Sequence, residues 1–338
     1  MKNKKLLLSF LMMLFVALVL AACGGDSGEE TDTGSDDAGT EESAGEGEKP
    51  EFLSMLTGGT SGTYYPLGGE MAKIITDETG IQTDALSSNA SADNVVALQE
   101  GEAELAFVQT DVVAFAVEGV QAFEGNPVDN VLALGSLYPE TVQIVTTADS
   151  GITSVEDLAG KNVSVGAPGS GTYINAEQIL EVHGMTMDDI NPQNLDFGES
   201  VGGIKDGNID AAFVTAGTPT GAVEELGATE EVVIVPIAQD KVDELVEKYP
   251  YYAADTVPAG TYGLAEDVET VAVLAMLAVV DSLSEDVVYD ITKAIYENVD
   301  AITHAKGEYI TLESALDGIG IPLHPGAEKF FKEAGVLE

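Results

Sequence analysis

"GEAELAFVQTD", residues 101–111, returns later in the chain as "GNIDAAFVTAG", residues 207–217. In each copy a glycine able to stop a helix is followed three residues on by an acid, then by a small residue, Phe and Val. Gly101 thus matches Gly207, Phe107 matches Phe213 and Gln109 matches Thr215. Upstream of each copy, at nearly equal spacing, stands the tetrapeptide "SGTY", at 61–64 and again at 170–173. Each tetrapeptide separates an apolar run from a helical pattern. The chain therefore holds two related lobes, in each of which a Gly-rich loop leaves the carboxyl end of a strand and opens a helix. A second strand ends nearby, at Gln109 or Thr215. Open α/β sheets bind ligands at the carboxyl ends of their strands, so two such edges facing one another form a cleft.

The segments around these motifs alternate between strand and helix patterns. "EFLSMLT" (51–57), "IQTDALS" (81–87) and "AELAFVQ" (103–109) read as strands, separated by helices over 64–79 and 91–101, the latter with Ser91 as its expected N-cap. "VQIVTTA" (142–148), "KNVSVGA" (161–167), "NLDFG" (194–198), "DAAFVTA" (210–216) and "EVVIVPIA" (231–238) continue the series. "TVAVLAMLAVV" (270–280) is too short to cross a bilayer as a helix and reads as a buried strand. Such alternation predicts an α/β fold with mainly parallel sheets covered by helices. Lobe one is expected over 51–140 and lobe two over 141–238, with hinge crossings near "YPETVQ" (138–143) and "VIVPIAQD" (233–240).

The N-terminal segment describes address rather than fold. Three lysines precede an apolar stretch from Leu6 to Ala22 and the single cysteine, Cys23. A basic region, an apolar core and small residues before a cleavage point make a secretory signal over 1–22. Leu20-Ala21-Ala22-Cys23 resembles a bacterial lipobox, which implies that Cys23 is lipidated and anchors the protein to the outer face of the membrane. Residues 24–49 carry ten acids, one lysine and no large apolar side chain. The segment 23–50 is thus expected to be an acidic disordered tether, unable to offset its ordering entropy by burial.

Charge excludes one class of partner. The chain has 13 lysines, no arginine and 59 acids; residues 51–338 alone hold 49 acids and nine lysines, a formal charge of −40. No nucleic acid is expected to bind, since phosphate neutralisation needs a basic surface. The uniformly acidic exterior fits a halophilic setting, where salt screens self-repulsion.

In the cleft, backbone N–H groups at helix N-termini attract an anion, and Ser61, Thr63, Ser170 and Thr172 add hydroxyls. Without arginine, a carboxylate would rest on neutral donors. "GAPGSGT" (166–172) resembles a phosphate loop but has Thr172 where the lysine belongs, which removes the contact to terminal phosphates. His183, His304 and His324 are scattered and fit surface or capping roles. No enzyme, cofactor or metal is expected.

"TGGTSGTYYPLGG" (57–69), "GEAELAFVQTD", "VSVGAPGSGT" (163–172), "YPYYAADTVPAGTY" (249–262) and "GIPLHPGAEKFFKEAG" (320–335) together resemble the TAXI family of solute-binding proteins of TRAP transporters. The resemblance runs from about Phe52 to Gly335. It implies a two-lobed, type II periplasmic-binding-protein fold that captures a small carboxylate, a glutamate-like amino acid or dicarboxylate, for a sodium-coupled permease. It also implies a monomer, and it returns residues 239–338 to lobe one. Ligand contacts carried over are Gly59, Thr60, Thr63, Tyr64, Gln109, Gly169, Ser170, Gly171 and Thr172, with Thr215 and Gly217 added by the internal repeat. Tyr64 and Tyr262 could equally pack against the sheet. Ser87-Ser88-Asn89 departs from the family pattern at one pocket edge. A sensor subunit signalling through a membrane kinase is the alternative function.

Overall fold

The computed structural model describes residues 49–338; the signal segment, Cys23 and nearly all of the tether lie outside them. The chain opens with β1 (Phe52–Leu56), α1 (Tyr64–Thr79), β2 (Gln82–Leu86), α2 (Ser91–Glu100), β3 (Leu105–Gln109) and α3 (Thr110–Glu118). All five residues of β3 are buried, as expected of a parallel strand covered on both faces. Gly101 ends α2 in the left-handed region, at φ 73°, and its N–H returns to Ala97 and Leu98. A residue with a Cβ would be strained there.

The 17-residue β4 (Val131–Thr147) follows, and then the second set: β5 (Asn162–Ser164), α4 (Gly171–Val182), β6 (Asn191–Gln193), α5 (Phe197–Lys205), β7 (Ala211–Ala216), α6 (Gly221–Gly227) and β8 (Val232–Val235). The chain closes with α7 (Gln239–Lys248), β9 (Ala253–Val257), β10 (Val268–Val280), α8 (Glu285–Glu297) and α9 (Pro325–Glu333). The strand order is β2-β1-β3-β10-β4-β7-β5-β6, with β8 on β4 and β9 on β10. β1 pairs parallel with β2 and β3, and β5 parallel with β6 and β7.

β4 and β10 pair antiparallel and run through both lobes. Val131–Thr141 of β4 lies on β10 and Thr141–Val145 lies on β7. Ala275–Val279 of β10 lies on β3, and Val268–Ala272 on β9. One core gathers Leu53, Phe107, Leu277 and Phe331; another gathers Val142, Ile144, Phe213 and Val271.

Three expectations change here. Val242, Leu245 and Tyr252 belong to the same core as Ile144 and Phe213, so residues 239–273 stay with the second lobe instead of returning to the first. The second crossing therefore lies on β10, whose 13 residues span about 43 Å at about 3.3 Å each, long enough to serve both cores. "NLDFG" is not a strand, because Asp196 accepts the Glu199 N–H at 2.8 Å in a capping box that starts α5 instead. Ser91 is not a cap: it is the first residue of α2, and its Oγ accepts the Gln109 N–H at 3.1 Å.

Candidate functional site

β1 hands the chain to α1 through Thr57–Thr63, and β5 hands it to α4 through Val165–Ser170. The two loops come from different lobes and meet. Ser170 is a true N-cap, its Oγ accepting the Tyr173 N–H at 3.3 Å. Its counterpart Thr63 makes no such cap; its Oγ1 donates across to the Gly217 carbonyl at 3.2 Å. Each loop also lends a carbonyl to a helix of the opposite lobe. The Gly169 oxygen accepts the N–H groups of Ala92 and Asp93 at the start of α2, at 2.9 and 3.1 Å, and the Ser61 oxygen accepts the Ala222 N–H of α6 at 3.1 Å. Helix starts leave several N–H groups without partners of their own, and here the facing lobe supplies them. The cleft is closed in this structure.

Between the loops lies a cavity of about 50 Å³. Of the residues expected at the site, Gly59, Thr63, Tyr64, Gln109, Ser170, Gly171, Thr172 and Thr215 line it. Thr60, Gly169 and Gly217 do not. Thr60 is exposed on the outer turn, Gly169 is engaged with α2, and the Gly217 carbonyl receives the Thr63 and Thr220 hydroxyls. Gly171 is required by closeness: a Cβ at this position would lie 2.0 Å from Gln109 Oε1. A larger residue there would have to displace the buried Gln109 amide.

Tyr64 packs against the sheet and lines the cavity as well. Its ring lies 5.0 Å from Phe107 by centroid, and its hydroxyl donates to Glu140 Oε2 at 2.7 Å. Tyr262 is off the cavity. Its hydroxyl accepts the Thr220 N–H at 2.6 Å and donates to Gln143 Oε1 at 2.6 Å, fixing the turn before α6.

Sequence reasoning missed Glu140, Asp196 and Phe197 on the cavity wall. Glu140 had a visible signal, an acid within an otherwise apolar strand. It is buried beneath the cleft, and burial pushes its carboxyl up to about 8. The Tyr64 and Gln109 hydrogen bonds oppose that rise, and the Asp111 charge adds to it. Asp111, at the first turn of α3, is itself raised to about 6 by burial against the N–H groups of α3 and the Asn175 amide. No Lys or His lines the cavity. Gln109 Oε1 and Thr215 Oγ1 are buried on its wall without a hydrogen-bond partner among the described residues. Unpaired buried acceptors of this kind are costly unless a ligand or water completes them.

The histidines take the roles expected of them. His304 and His324 accept N–H groups of the short helices they precede, and His183 Nδ1 meets the Ile179 carbonyl. Among the described residues no group of three His, Cys, Asp or Glu could hold a metal, and no helix is long and apolar enough to cross a membrane.

Two mainly parallel half-sheets joined by a pair of shared antiparallel strands, with Gly-rich helix starts facing across a cleft, define the two-lobed type II periplasmic-binding-protein fold. The chain belongs to the NMT1-like family, whose model matches residues 55–335. Among solved structures, a protein from Bordetella bronchiseptica RB50 is 16% identical, with a TM-score of 0.53, covering 84% of this chain and 82% of the other. A structure described as a periplasmic transporter is 14% identical, with a TM-score of 0.51, covering 84% and 92%. At these identities the likeness speaks for the fold.

Proposed function

We propose that this protein is an extracytoplasmic solute-binding protein, anchored through lipidated Cys23, that captures a small carboxylate and delivers it to a sodium-coupled TRAP permease. The observation that carries the reading is the closed cavity itself, where the starts of α1 and α4, from opposite lobes, meet over buried polar atoms that have no partner among the described residues. Helix starts favour an anionic group, and the hydroxyls of Thr63 and Thr172 stand beside them. The TAXI resemblance supplies the delivery partner and the choice between a glutamate-like amino acid and a dicarboxylate. The 50 Å³ cavity supports a small ligand.

A thermal-shift screen of amino acids and small mono- and dicarboxylates tests the reading, since a ligand that binds only the folded state raises Tm by mass action. A concentration-dependent rise with one carboxylate class is expected. A flat response across the panel, with the protein folded by circular dichroism, overturns it.

A further inference from the structure

We propose that Glu140 determines the specificity of the cleft: its carboxylate receives the ammonium of a zwitterionic ligand whose own carboxylate faces the loops. The inference rests on the reading of the cleft as a carboxylate site and selects between its two ligand classes.

The cavity has two chemically different sides. The glycine-rich starts of α1 and α4 present donors. Against them, at the ends of β3 and β7 and midway along β4, stand Gln109, Thr215 and Glu140, only 2%, 4% and 2% exposed. Gln109 Oε1 and Thr215 Oγ1 lack partners among the described residues, and Glu140 offers a carboxyl already oriented by the Tyr64 hydroxyl at 2.7 Å. The Gln109 amide oxygen, the Glu140 carboxylate and the Thr215 hydroxyl can all accept, and a group with several N–H bonds can satisfy all three.

Charge points the same way. Among the described residues the cavity wall carries Glu140 and Asp196 and no cation. Lys306, on a short 3-10 turn packed against β4, places its amine 4.4 Å over the Tyr309 ring and is not among the lining residues. A dicarboxylate would bring two negative charges into a buried site that has no positive charge to meet them, whereas buried charge is tolerated only when paired. A zwitterion supplies its own cation, and Glu140 is the acid placed to pair with it.

A proton must then leave. With the cleft closed and empty, burial holds Glu140 at about 8, so in that form about nine molecules out of ten carry the proton at pH 7. The titratable groups facing it are Tyr64 on α1, Tyr138 on its own strand, Asp111 on α3 and Asp196 on the cavity wall. Both tyrosines are held well above their ordinary range by burial, so they stay neutral, and Asp111, at about 6, is largely ionised at pH 7. None supplies a positive charge. An ammonium against Glu140 lowers its pKa, and the carboxyl proton passes to solvent as the ion pair forms. The bound state holds fewer protons than the free state, so affinity rises with pH until about pH 8 is passed. Between pH 7 and pH 8 the gain is about fivefold.

The test is calorimetric titration of the protein with L-glutamate and the other standard amino acids, each beside its desamino acid, such as glutarate for glutamate. Measurements at pH 7 in buffers of different ionisation enthalpy count the protons exchanged. An amino acid that binds at least tenfold more tightly than its desamino acid, releases about 0.9 proton and gains about fivefold from pH 7 to 8 supports the proposal. Glu140→Gln should abolish the proton release and flatten the pH dependence. The count on the unmodified protein decides the matter even if that variant folds poorly. A desamino acid that binds as well as its amino acid, without proton release, overturns the role of Glu140 and leaves the carboxylate reading intact. Failure of every member of the panel overturns both.

Discussion

Gly171→Ala separates the closing of the cleft from the stability of the lobes. Gly171 is the first residue of α4 in one lobe, and Gln109 ends β3 in the other. A Cβ on residue 171 would sit 2.0 Å from Gln109 Oε1 and 2.4 Å from its Cδ, closer than any real contact, so the closed cleft must either displace a buried side chain or stay ajar. Overpacking of this kind costs about 1–3 kcal/mol, which weakens ligand binding by about five- to 150-fold. The open protein does not make the contact. There the substitution replaces glycine with alanine in a helix, worth up to about 1 kcal/mol in the stabilising direction. Stability of the ligand-free protein and affinity should therefore move in opposite directions. Thermal melts without ligand and calorimetric titration with it measure the two, and small-angle scattering reports whether ligand still compacts the variant. Wild-type affinity in a folded Gly171→Ala protein would refute the reasoning, because it would mean that α4 and Gln109 do not meet in the bound state.

Further outcomes follow from other contacts. Thr63→Val removes the hydrogen bond to the Gly217 carbonyl and should weaken binding by about 0.5–1.5 kcal/mol without lowering the melting temperature of the open form; titration against wild type checks it. Glu140 and Asp111 both titrate above their ordinary values when folded, so the unfolded chain releases their protons first as pH rises. Their contribution to stability is thus complete below about pH 4 and lost progressively toward pH 8. The Tm of wild type minus that of Glu140→Gln should fall between pH 5 and pH 8, and a gap that widens would contradict the buried, raised carboxyl. Raising potassium chloride to about 1 M, where charges are screened beyond about 3 Å, should raise Tm for a folded region of charge −40. Cys23→Ser should move the protein from the detergent phase to the aqueous phase on phase separation; a wild type already aqueous would remove the lipid anchor.

What the sequence disclosed, and what it concealed, divides along a physical line. The helices over 64–79 and 91–101 and the buried strand at 103–109 were legible because period and punctuation agree there, with Gly80 and Gly101 in left-handed conformations at the helix ends. The facing loops were legible because the chain repeats them. The second crossing was not, because an apolar run such as 268–280 reads as one buried strand whichever core it serves. Its place depends on long-range pairing with β3, β4 and β9. Glu140 escaped for a similar reason. "YPETVQ" read as a hinge, where an acid would be solvated, whereas the strand continues through it and buries the carboxyl against Tyr64. The capping of α2 by Gly169 could not be read at all, since a main-chain oxygen leaves no residue-specific mark.

That last contact has a consequence for how such a protein can be redesigned. The Gly169 and Ser61 oxygens that bridge the lobes belong to the main chain, whereas Gln109, Glu140 and Thr215 face the cavity with side chains. Part of the closure is thus written in the main chain, apart from the side chains that line the cavity. A reshaped set of side chains at those three positions can change what is held while the same two peptide oxygens still draw the lobes together, so new selectivity need not be accompanied by a new hinge.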